Sequence, residues 1–121
     1  MSTNFEHIFT IKDDFAFEKA ALATFYHQAE NCKVYHQFIH HLGVNPQRIV
    51  SYREIPFLPI GFFKTHEVVS EAATPEIIFS SSGTTGQMQS KHLVNDVKIY
   101  EKSFNLAFEE FYGSIEDTCL L

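Results

Sequence analysis

The amino-acid sequence predicts a mixed α/β fold in which a helical hairpin precedes short strands and a long amphipathic helix. Three observations support this class. Apolar residues recur at helical spacing on both sides of position 30 and again after position 96. Short apolar runs lie between these segments, and a loop rich in glycine and hydroxyl residues separates two of them. At 121 residues the chain is one domain or part of one, with residues 1–45 expected to form the hairpin and residues 46–121 the strand, loop and helix segment.

The first helix should begin at Asp13 and Asp14, because aspartate suits the N-cap and the first turn of a helix. We expect it to end near Glu30. One stripe of apolar residues at helical spacing should face the core. That predicted stripe consists of Phe15, Leu22, Phe25 and Ala29.

A second helix is expected from about Asn31 to Leu42, with Gly43 as the first residue beyond it. Its predicted core stripe is Val34, Phe38 and Leu42, with Tyr35 and Ile39 beside it. Three histidines lie on the opposite face: His36, His40 and His41. Histidines four apart on a helix bind zinc when a third ligand is present. No acidic residue shares this face, so we interpret the three as solvated and expect no metal site.

Short elements should follow the hairpin. Pro56 and Pro59 interrupt regular structure, which places only brief helices and strands around them. The expected elements are a connection from Pro46 to Tyr52 with a short strand at 49–50, a helical turn at 60–63, a strand at 68–69, a better strand at 76–79 and its partner at 91–94. The loop between the last two would then be the tip of a hairpin.

The last helix should be capped by Asn95 or Asp96 and should run to about Tyr112, with Gly113 as its stop. Its aromatic stripe falls at spacings of three and four residues, which is strongly amphipathic. The stripe consists of Val97, Tyr100, Phe104, Phe108 and Phe111. We expect this face to pack on the sheet in part and to leave a bare apolar surface. Such surfaces favour association, so a homo-oligomer is expected.

The loop at 80–86 is the most informative part of the sequence: three serines, Gly83, two threonines and Gly86, with Lys91 a few positions on. Glycines allow successive backbone N–H groups to point inward and form a concavity for anions. Hydroxyls add donors, and the lysine adds a positive charge. The glycine spacing differs from that of a Walker A motif. From these residues alone, phosphate binding and a flexible surface turn both remain open.

Taken with its neighbours, the loop resembles the phosphate loop of the adenylate-forming superfamily, and in particular the LuxE-type acyl-protein synthetases. The likeness runs from about Leu22 to the end of the chain. It is carried by Ile55-Pro56-Phe57-Leu58-Pro59-Ile60, Phe62-Phe63-Lys64, Ser81-Ser82-Gly83-Thr84-Thr85-Gly86, Ser90-Lys91-His92, Ile99-Tyr100-Glu101-Lys102-Ser103-Phe104 and Phe111-Tyr112-Gly113. The phosphate-binding residues that the resemblance implies are Ser81, Ser82, Gly83, Thr84, Thr85, Gly86 and Lys91. His92 would lie near the phosphates, with an ordinary strand histidine as the alternative.

The resemblance implies an enzyme that uses ATP and Mg²⁺ to convert a fatty acid to an acyl-adenylate, and then passes the acyl group to a thiol of an acceptor protein. Members of this family are longer than this chain, and their catalytic residues lie beyond a point equivalent to Leu121. Residues 118–121 are also typical of the start of a buried strand. We therefore expect an N-terminal portion that is inactive on its own. Cys119 is not assigned as the acceptor thiol.

Composition restricts the function classes. The net charge of −6 argues against non-specific binding of nucleic acid and against docking on anionic membranes. Two cysteines, Cys32 and Cys119, provide no disulfide framework and suit a reducing cytoplasm. No secretory signal or membrane-spanning stretch is recognisable. The rival functions are a small phosphate-binding module without chemistry and a plain interaction domain.

Overall fold

The computed structural model describes residues 6–70, 74–81 and 89–113. Within these ranges the chain forms helices, a pair of strands and short 3₁₀ turns, which confirms the mixed helix and strand class. The helices are α1 (Asp14–Asn31), α2 (Lys33–His41), α3 (Phe62–Thr65) and α4 (Val97–Tyr112), the strands are β1 (Ile77–Ser80) and β2 (Lys91–Val94), and the 3₁₀ turns are Glu6–Thr10, Pro46–Arg48 and Tyr52–Glu54.

Helices α1 and α2 form the predicted hairpin, with ends within two residues of the expected positions. The Asp13 carboxylate accepts a hydrogen bond of 2.7 Å from the Ala16 N–H, so this residue is the N-cap. Cys32 is both the C-cap of α1 and the N-cap of α2, so a single residue joins the helices. Gly43 has φ of 76°, a left-handed conformation that glycine adopts without a steric penalty. The sequence signals for both helices are therefore confirmed.

The core is a cluster between α1, α2 and the segment that follows them. Its buried members are Phe25, Ala29, Cys32, Tyr35, Ile39 and Ile49. The rings of Phe25 and Tyr35 meet edge to face, 6.1 Å apart between centroids. Phe25 and Ile39 are the largest side chains that are fully buried. The hydrophobic contribution to stability is thus concentrated in residues 20–49.

For two residues of the predicted stripes, the prediction that they face the core is wrong. Phe15 is 80% exposed and Leu42 is 55% exposed. The 9-residue α2 is about half as long as the 18-residue α1, so it does not cover the first turn of α1, where Phe15 lies. Leu42 follows the last turn of α2 and extends past the cluster. Val34 and Phe38 pack against the edge of the core, whereas Tyr35 and Ile39 occupy its centre.

The strand predicted at 49–50 is absent because side chains cap 3₁₀ turns on both sides of it. Asn45 accepts from the Gln47 N–H at 3.0 Å. Ser51 and Glu54 form a capping box, in which the Glu54 carboxylate accepts from the Ser51 N–H at 3.1 Å. The Ile49 N–H donates to the Pro46 carbonyl at 3.2 Å and the Val50 N–H donates to the Glu54 carboxylate at 3.3 Å, so both backbone donors of the predicted strand are already used. The strand predicted at 68–69 is likewise wrong, since these residues are half-buried in irregular structure.

The predicted helical turn at 60–63 lies two residues before the observed helix α3 (Phe62–Thr65). The N–H of Phe62 donates to the Pro59 carbonyl at 3.0 Å and the N–H of Phe63 to the Ile60 carbonyl at 3.2 Å. The chain therefore starts to turn directly after the proline, whose ring fixes a φ that helices tolerate at their start. This prediction is confirmed in type and nearly in position.

Strands β1 and β2 pair antiparallel, with Ile77 opposite Val94 and Ser80 opposite Lys91, as predicted. Helix α4 begins directly after β2, and the Asp96 carboxylate accepts from the Lys98 N–H at 3.0 Å. The helix ends at Gly113, which has φ of 83°. Both caps of α4 are therefore those that the sequence predicts.

The aromatic face of α4 packs on the β1–β2 hairpin only near the start of the helix. The Tyr100 ring lies 5.0 Å from the Phe79 ring between centroids. Further along, Phe104 is 50% exposed and Phe111 is 76% exposed, and no residue of α4 is classed as buried. Homo-oligomer formation through this surface stays a prediction. None of the described helices combines the length and the apolar character that crossing a bilayer requires.

Candidate functional site

The base of the hydroxyl- and glycine-rich loop is an extension of the β1–β2 hairpin. Beyond the last strand pair, the Ser81 N–H donates to the Ser90 carbonyl at 3.0 Å. The Ser90 N–H in turn donates to the Ser81 hydroxyl oxygen at 2.9 Å. Ser90 is buried, at 8% exposure. The two ends of the loop are thus fastened to each other one residue past the sheet.

Of the predicted phosphate-binding residues, Ser81 and Lys91 lie within the described part of the chain. Ser81 is exposed at the end of β1, and Lys91 is exposed at the start of β2. The hairpin brings them to the same end of the sheet, because Lys91 lies opposite Ser80. The other predicted residues, Ser82, Gly83, Thr84, Thr85 and Gly86, lie outside the described residues.

Electrostatics at the hairpin favour an anion. Residues 77–95 contain no aspartate or glutamate, although the protein has a net charge of −6. Lys91 contributes a positive charge at the loop base. At the loop base, an anionic ligand would therefore meet the Lys91 ammonium, and this stretch of sequence contains no carboxylate side chain.

Helix α3 carries Lys64 and contacts His92 of β2. The His92 ring lies 4.8 Å from the Phe63 ring between centroids, at an interplanar angle of 31°. This contact gives His92 a packing partner on α3, as expected of an ordinary strand histidine. Lys64 is exposed on α3.

A large apolar groove, which the sequence did not predict, adjoins the hairpin. Its volume is about 1060 Å³. It is bounded by the first 3₁₀ turn, one face of α1, the segment 55–58 that follows the Tyr52–Glu54 turn, and the end of β2. Its lining residues are Ile8, Phe9, Ile11, Phe17, Ala20, Ala21, Thr24, Phe25, Gln28, Cys32, Tyr35, Ile55, Pro56, Phe57, Leu58, Phe63, Val68, Val69, Ser70, Leu93, Val94 and Asn95. None of these residues is an aspartate, glutamate, lysine, arginine or histidine.

Two hydroxyl groups that line this groove, those of Tyr35 and Thr24, are paired within the protein. The Tyr35 hydroxyl donates to the Pro56 carbonyl at 2.7 Å. The Thr24 hydroxyl donates to the Ala20 carbonyl at 2.8 Å. Burial, with a smaller contribution from Cys32, raises the pKa of Tyr35 from 10.0 to about 12. The Tyr35 hydroxyl therefore stays neutral well beyond physiological pH.

Strand β2 joins the groove to the loop base. Leu93 and Val94 line the groove, whereas Lys91 starts the same strand beside the loop. At roughly 3.3 Å per residue, the backbone of Lys91 lies about 7 Å from that of Leu93. Phe63 reinforces the connection, because it lines the groove and stacks on His92. An apolar surface and a cationic loop base are thus neighbours.

The three histidines of α2 are exposed, as predicted. The His36 Nδ1 lies 2.9 Å from the Ala29 carbonyl oxygen, and the rings of His40 and His41 are 6.2 Å apart between centroids. Across residues 6–70, 74–81 and 89–113, no group of three or more His, Cys, Asp or Glu side chains is placed to hold a metal ion.

Comparisons with protein-family models, with curated proteins and with solved structures found no match for this chain.

The sequence contains a pattern that indicates the groove, although the predicted stripes do not include it. On α1, the residues Phe17, Ala21, Thr24 and Gln28 recur at spacings of four, three and four, and all line the groove. This stripe lies beside the core stripe, and its small residues make it inconspicuous in a search for large apolar side chains. A second face of α1 was therefore missed.

Proposed function

We propose that the chain is the N-terminal portion of a LuxE-like acyl-protein synthetase, which uses ATP to activate a carboxylic acid as an acyl-adenylate and transfers the acyl group to a thiol. The observation that carries the proposal is the base of the loop. Ser81 and Ser90 fasten the ends of a run of hydroxyl and glycine residues beside Lys91. This arrangement supports a phosphate-binding role for the loop.

In this chemistry ATP supplies the leaving groups, and the chain positions the phosphates. One carboxylate oxygen of the acid attacks the α-phosphorus of ATP, and the bond to the bridging oxygen breaks so that pyrophosphate leaves. A thiol then attacks the acyl carbonyl, gives up its proton, and AMP leaves. In the first step the loop would hold the β- and γ-phosphates through hydroxyl and backbone donors, while Lys91 offsets negative charge. Its contribution is positioning and electrostatic stabilisation.

Magnesium accompanies nucleotide phosphates as a counter-ion with oxygen ligands. The uncharged and cationic groups at the loop base suit the phosphates themselves. We assign no residue as a magnesium ligand. The acceptor protein and the residues that orient the carboxylate belong to the larger enzyme that we propose, and the isolated chain should not turn over substrate.

Nucleotide binding by the 121-residue chain tests the loop assignment. The measurement is the thermal unfolding midpoint with and without Mg²⁺–ATP or Mg²⁺–pyrophosphate. A ligand at 100 times its Kd adds about 2.7 kcal/mol to the free energy of unfolding, which corresponds to a shift of several degrees. We expect a shift that the double substitution Thr84→Val with Thr85→Val abolishes. Thr74→Val, at an exposed threonine outside the loop, should preserve it.

The lysine is tested in the same way. Lys91→Gln should reduce the stabilisation by ATP, whereas Lys98→Gln, at an exposed lysine on α4, should not. Stabilisation that survives the double threonine substitution would show that the loop does not hold the phosphates. No stabilisation of the unmodified chain would favour the interpretation of the loop as a surface turn.

Acid activation is separated from a non-catalytic phosphate-binding module by a second experiment. Exchange of labelled pyrophosphate into ATP, measured on the protein encoded by the full reading frame, should require a carboxylic acid. Nucleotide binding without acid-dependent exchange would favour the binding module.

A further inference from the structure

We propose that the apolar groove beside α1 receives the aromatic end of α4 from a second copy of this chain. The aromatic end of α4 consists of Phe111 and Tyr112, which are 76% and 74% exposed. The contact is reciprocal, because each copy carries one groove and one α4, and a two-fold axis pairs both at once. The inference specifies the contact within the expected homo-oligomer and is independent of nucleotide binding and of the proposed function.

The aromatic end of α4 does not reach the groove of its own chain. Asn95 lines the groove, and α4 begins two residues later at Val97. None of the described residues after Asn95 lines the groove. A helix advances about 1.5 Å per residue, so Phe111 lies roughly 21 Å along α4 from Val97. A second copy is therefore needed to bring the exposed rings and the groove together.

The two surfaces match in size. The groove has a volume of about 1060 Å³, which places it among the largest small-molecule sites and admits more than one aromatic ring. An aromatic side chain buries roughly 150–250 Å², so the exposed parts of Phe111 and Tyr112 would bury about 300 Å². An equal area from the groove, counted for both contacts, gives a total of about 1,200 Å². This area is at the lower limit for stable interfaces, so we expect a dimer with a Kd in the micromolar range.

The lining of the groove suits a helix with aromatic side chains. Neither the lining nor the aromatic end of α4 contains a charged residue, so the contact buries no charge. An extended peptide would bring an N–H and a C=O at nearly every residue, and each needs a partner when it is buried. A helix satisfies most of these groups internally, and it leaves only the carbonyls of its last turn without an intrahelical partner.

The polar residues of the groove match the few polar groups that the end of α4 carries. Besides Thr24 and Tyr35, whose hydroxyls are paired, the polar lining residues are Gln28, Ser70 and Asn95. A side-chain amide and a hydroxyl each donate and accept hydrogen bonds. Gln28 and Ser70 therefore provide partners for the Tyr112 hydroxyl and for carbonyls of the last helical turn. A ring with a polar tip is typical of residues that anchor an interface.

Sedimentation velocity of the 121-residue chain across the micromolar range tests the contact from the side of α4. The unmodified chain should dimerise. Phe111→Ser should raise the Kd of the dimer at least about tenfold, because buried aromatic anchors carry most of the energy of such contacts. Phe15→Ser is the matched control, at a phenylalanine that is 80% exposed and does not line the groove, and it should leave the Kd unchanged. An unmodified chain that stays monomeric across this range would overturn the proposal.

The groove is tested from the other side by filling it. Ala21→Trp should raise the Kd of the dimer at least about tenfold, whereas Ala23→Trp, at an exposed alanine of the same helix, should not. If circular dichroism shows that Ala21→Trp does not fold, Val69→Asp takes its place, because it would bury a charge against the aromatic rings. Its control is Val50→Asp, at a valine that is 73% exposed. Equal Kd values for Val69→Asp and Val50→Asp would contradict the assignment.

Mixing the two kinds of variant distinguishes the proposed contact from direct pairing of two α4 helices. The Ala21→Trp chain keeps the aromatic end of α4, and the Phe111→Ser chain keeps the groove, so a mixed dimer retains one intact contact. With one variant labelled by a fluorophore, sedimentation should detect this heterodimer at concentrations where each variant alone is monomeric. If Ala21→Trp dimerises as tightly as the unmodified chain while Phe111→Ser does not, the α4 helices pair with each other and the groove assignment is wrong.

Discussion

The hairpin of α1 and α2 and the segment from β1 to α4 differ in how they use their apolar residues. In the first region, Phe25, Tyr35 and Ile39 pack into a shared core. In the second, no described hydrophobic residue is buried, and Ser90 is the one buried residue among 77–81 and 89–113. In both regions a helix starts with an aspartate N-cap, Asp13 for α1 and Asp96 for α4.

The difference shows that an apolar stripe predicts a helix better than it predicts a core. Helix α4 has the regular aromatic spacing expected of a buried face, yet Phe104 and Phe111 remain half or more exposed. A stripe is buried only where the rest of the molecule supplies a surface of matching length. Within the described residues, α2 supplies that surface to α1, and the two-stranded hairpin covers only the start of α4.

The largest expected contrast between the two regions comes from removing one phenylalanine from each. Phe25→Ala should lower the free energy of unfolding by about 3–5 kcal/mol, because it leaves a cavity in a packed core. Phe104→Ala should change it by less than about 1 kcal/mol, since this side chain is half exposed. Urea denaturation followed by circular dichroism measures both. Equal losses would show that α4 is packed as firmly as α1.

Removing the Tyr35 hydroxyl should have a smaller effect on the free energy of unfolding. Tyr35→Phe removes the hydrogen bond to the Pro56 carbonyl and should cost about 1 kcal/mol at pH 7. Tyr112→Phe, at a tyrosine that is 74% exposed on α4, should be neutral within about 0.5 kcal/mol. Urea denaturation at pH 7 compares the two variants.

Tyr35 should also make the free energy of unfolding depend on pH. Burial raises the pKa of Tyr35 from 10.0 to about 12 in the folded protein, so the unfolded state loses this proton first. The stabilisation is complete below pH 10 and is lost as the pH rises from 10 to about 12. The advantage of the unmodified protein over Tyr35→Phe should therefore shrink across this interval. An advantage that grows between pH 10 and 12 would contradict the burial of the hydroxyl.

The smallest expected effect is the difference between removing the N-cap aspartate of α1 and removing that of α4. Asp13→Ala should lower the free energy of unfolding by about 1 kcal/mol, because α1 belongs to the core. Asp96→Ala removes a similar bond, but α4 contributes little to the core, so the loss should be local fraying. The expected result is a lower helical circular dichroism signal. The free energy of unfolding should fall by a few tenths of 1 kcal/mol at most. Equal shifts of the midpoint would show that α4 and the core unfold together.

Local chemistry made much of this fold predictable. Asp13, Gly43, Asp96 and Gly113 all fulfil the capping roles that their residue types favour. The β1–β2 pairing also followed from two short apolar runs around a loop. The strand predicted at 49–50 failed because the capping box of Ser51 and Glu54 competes for its backbone, which an apolar pattern does not reveal.

The site was predictable only where it depends on consecutive residues. Ser81 and Lys91 could be connected to a loop because they lie near each other along the chain. The groove combines residues from Ile8 to Asn95, and no local pattern marks positions that converge through tertiary packing. The absence of charge from its lining becomes visible only after the chain has folded.

The single-residue junction at Cys32 also determines how this chain tolerates changes in length. With no slack between α1 and α2, one inserted residue that extends α2 at its start would turn the rest of that helix by about 100° and advance it by about 1.5 Å. Tyr35 and Ile39 would leave the core together. Insertions and deletions in relatives of this chain should therefore avoid the junction and accumulate where a connection has spare length.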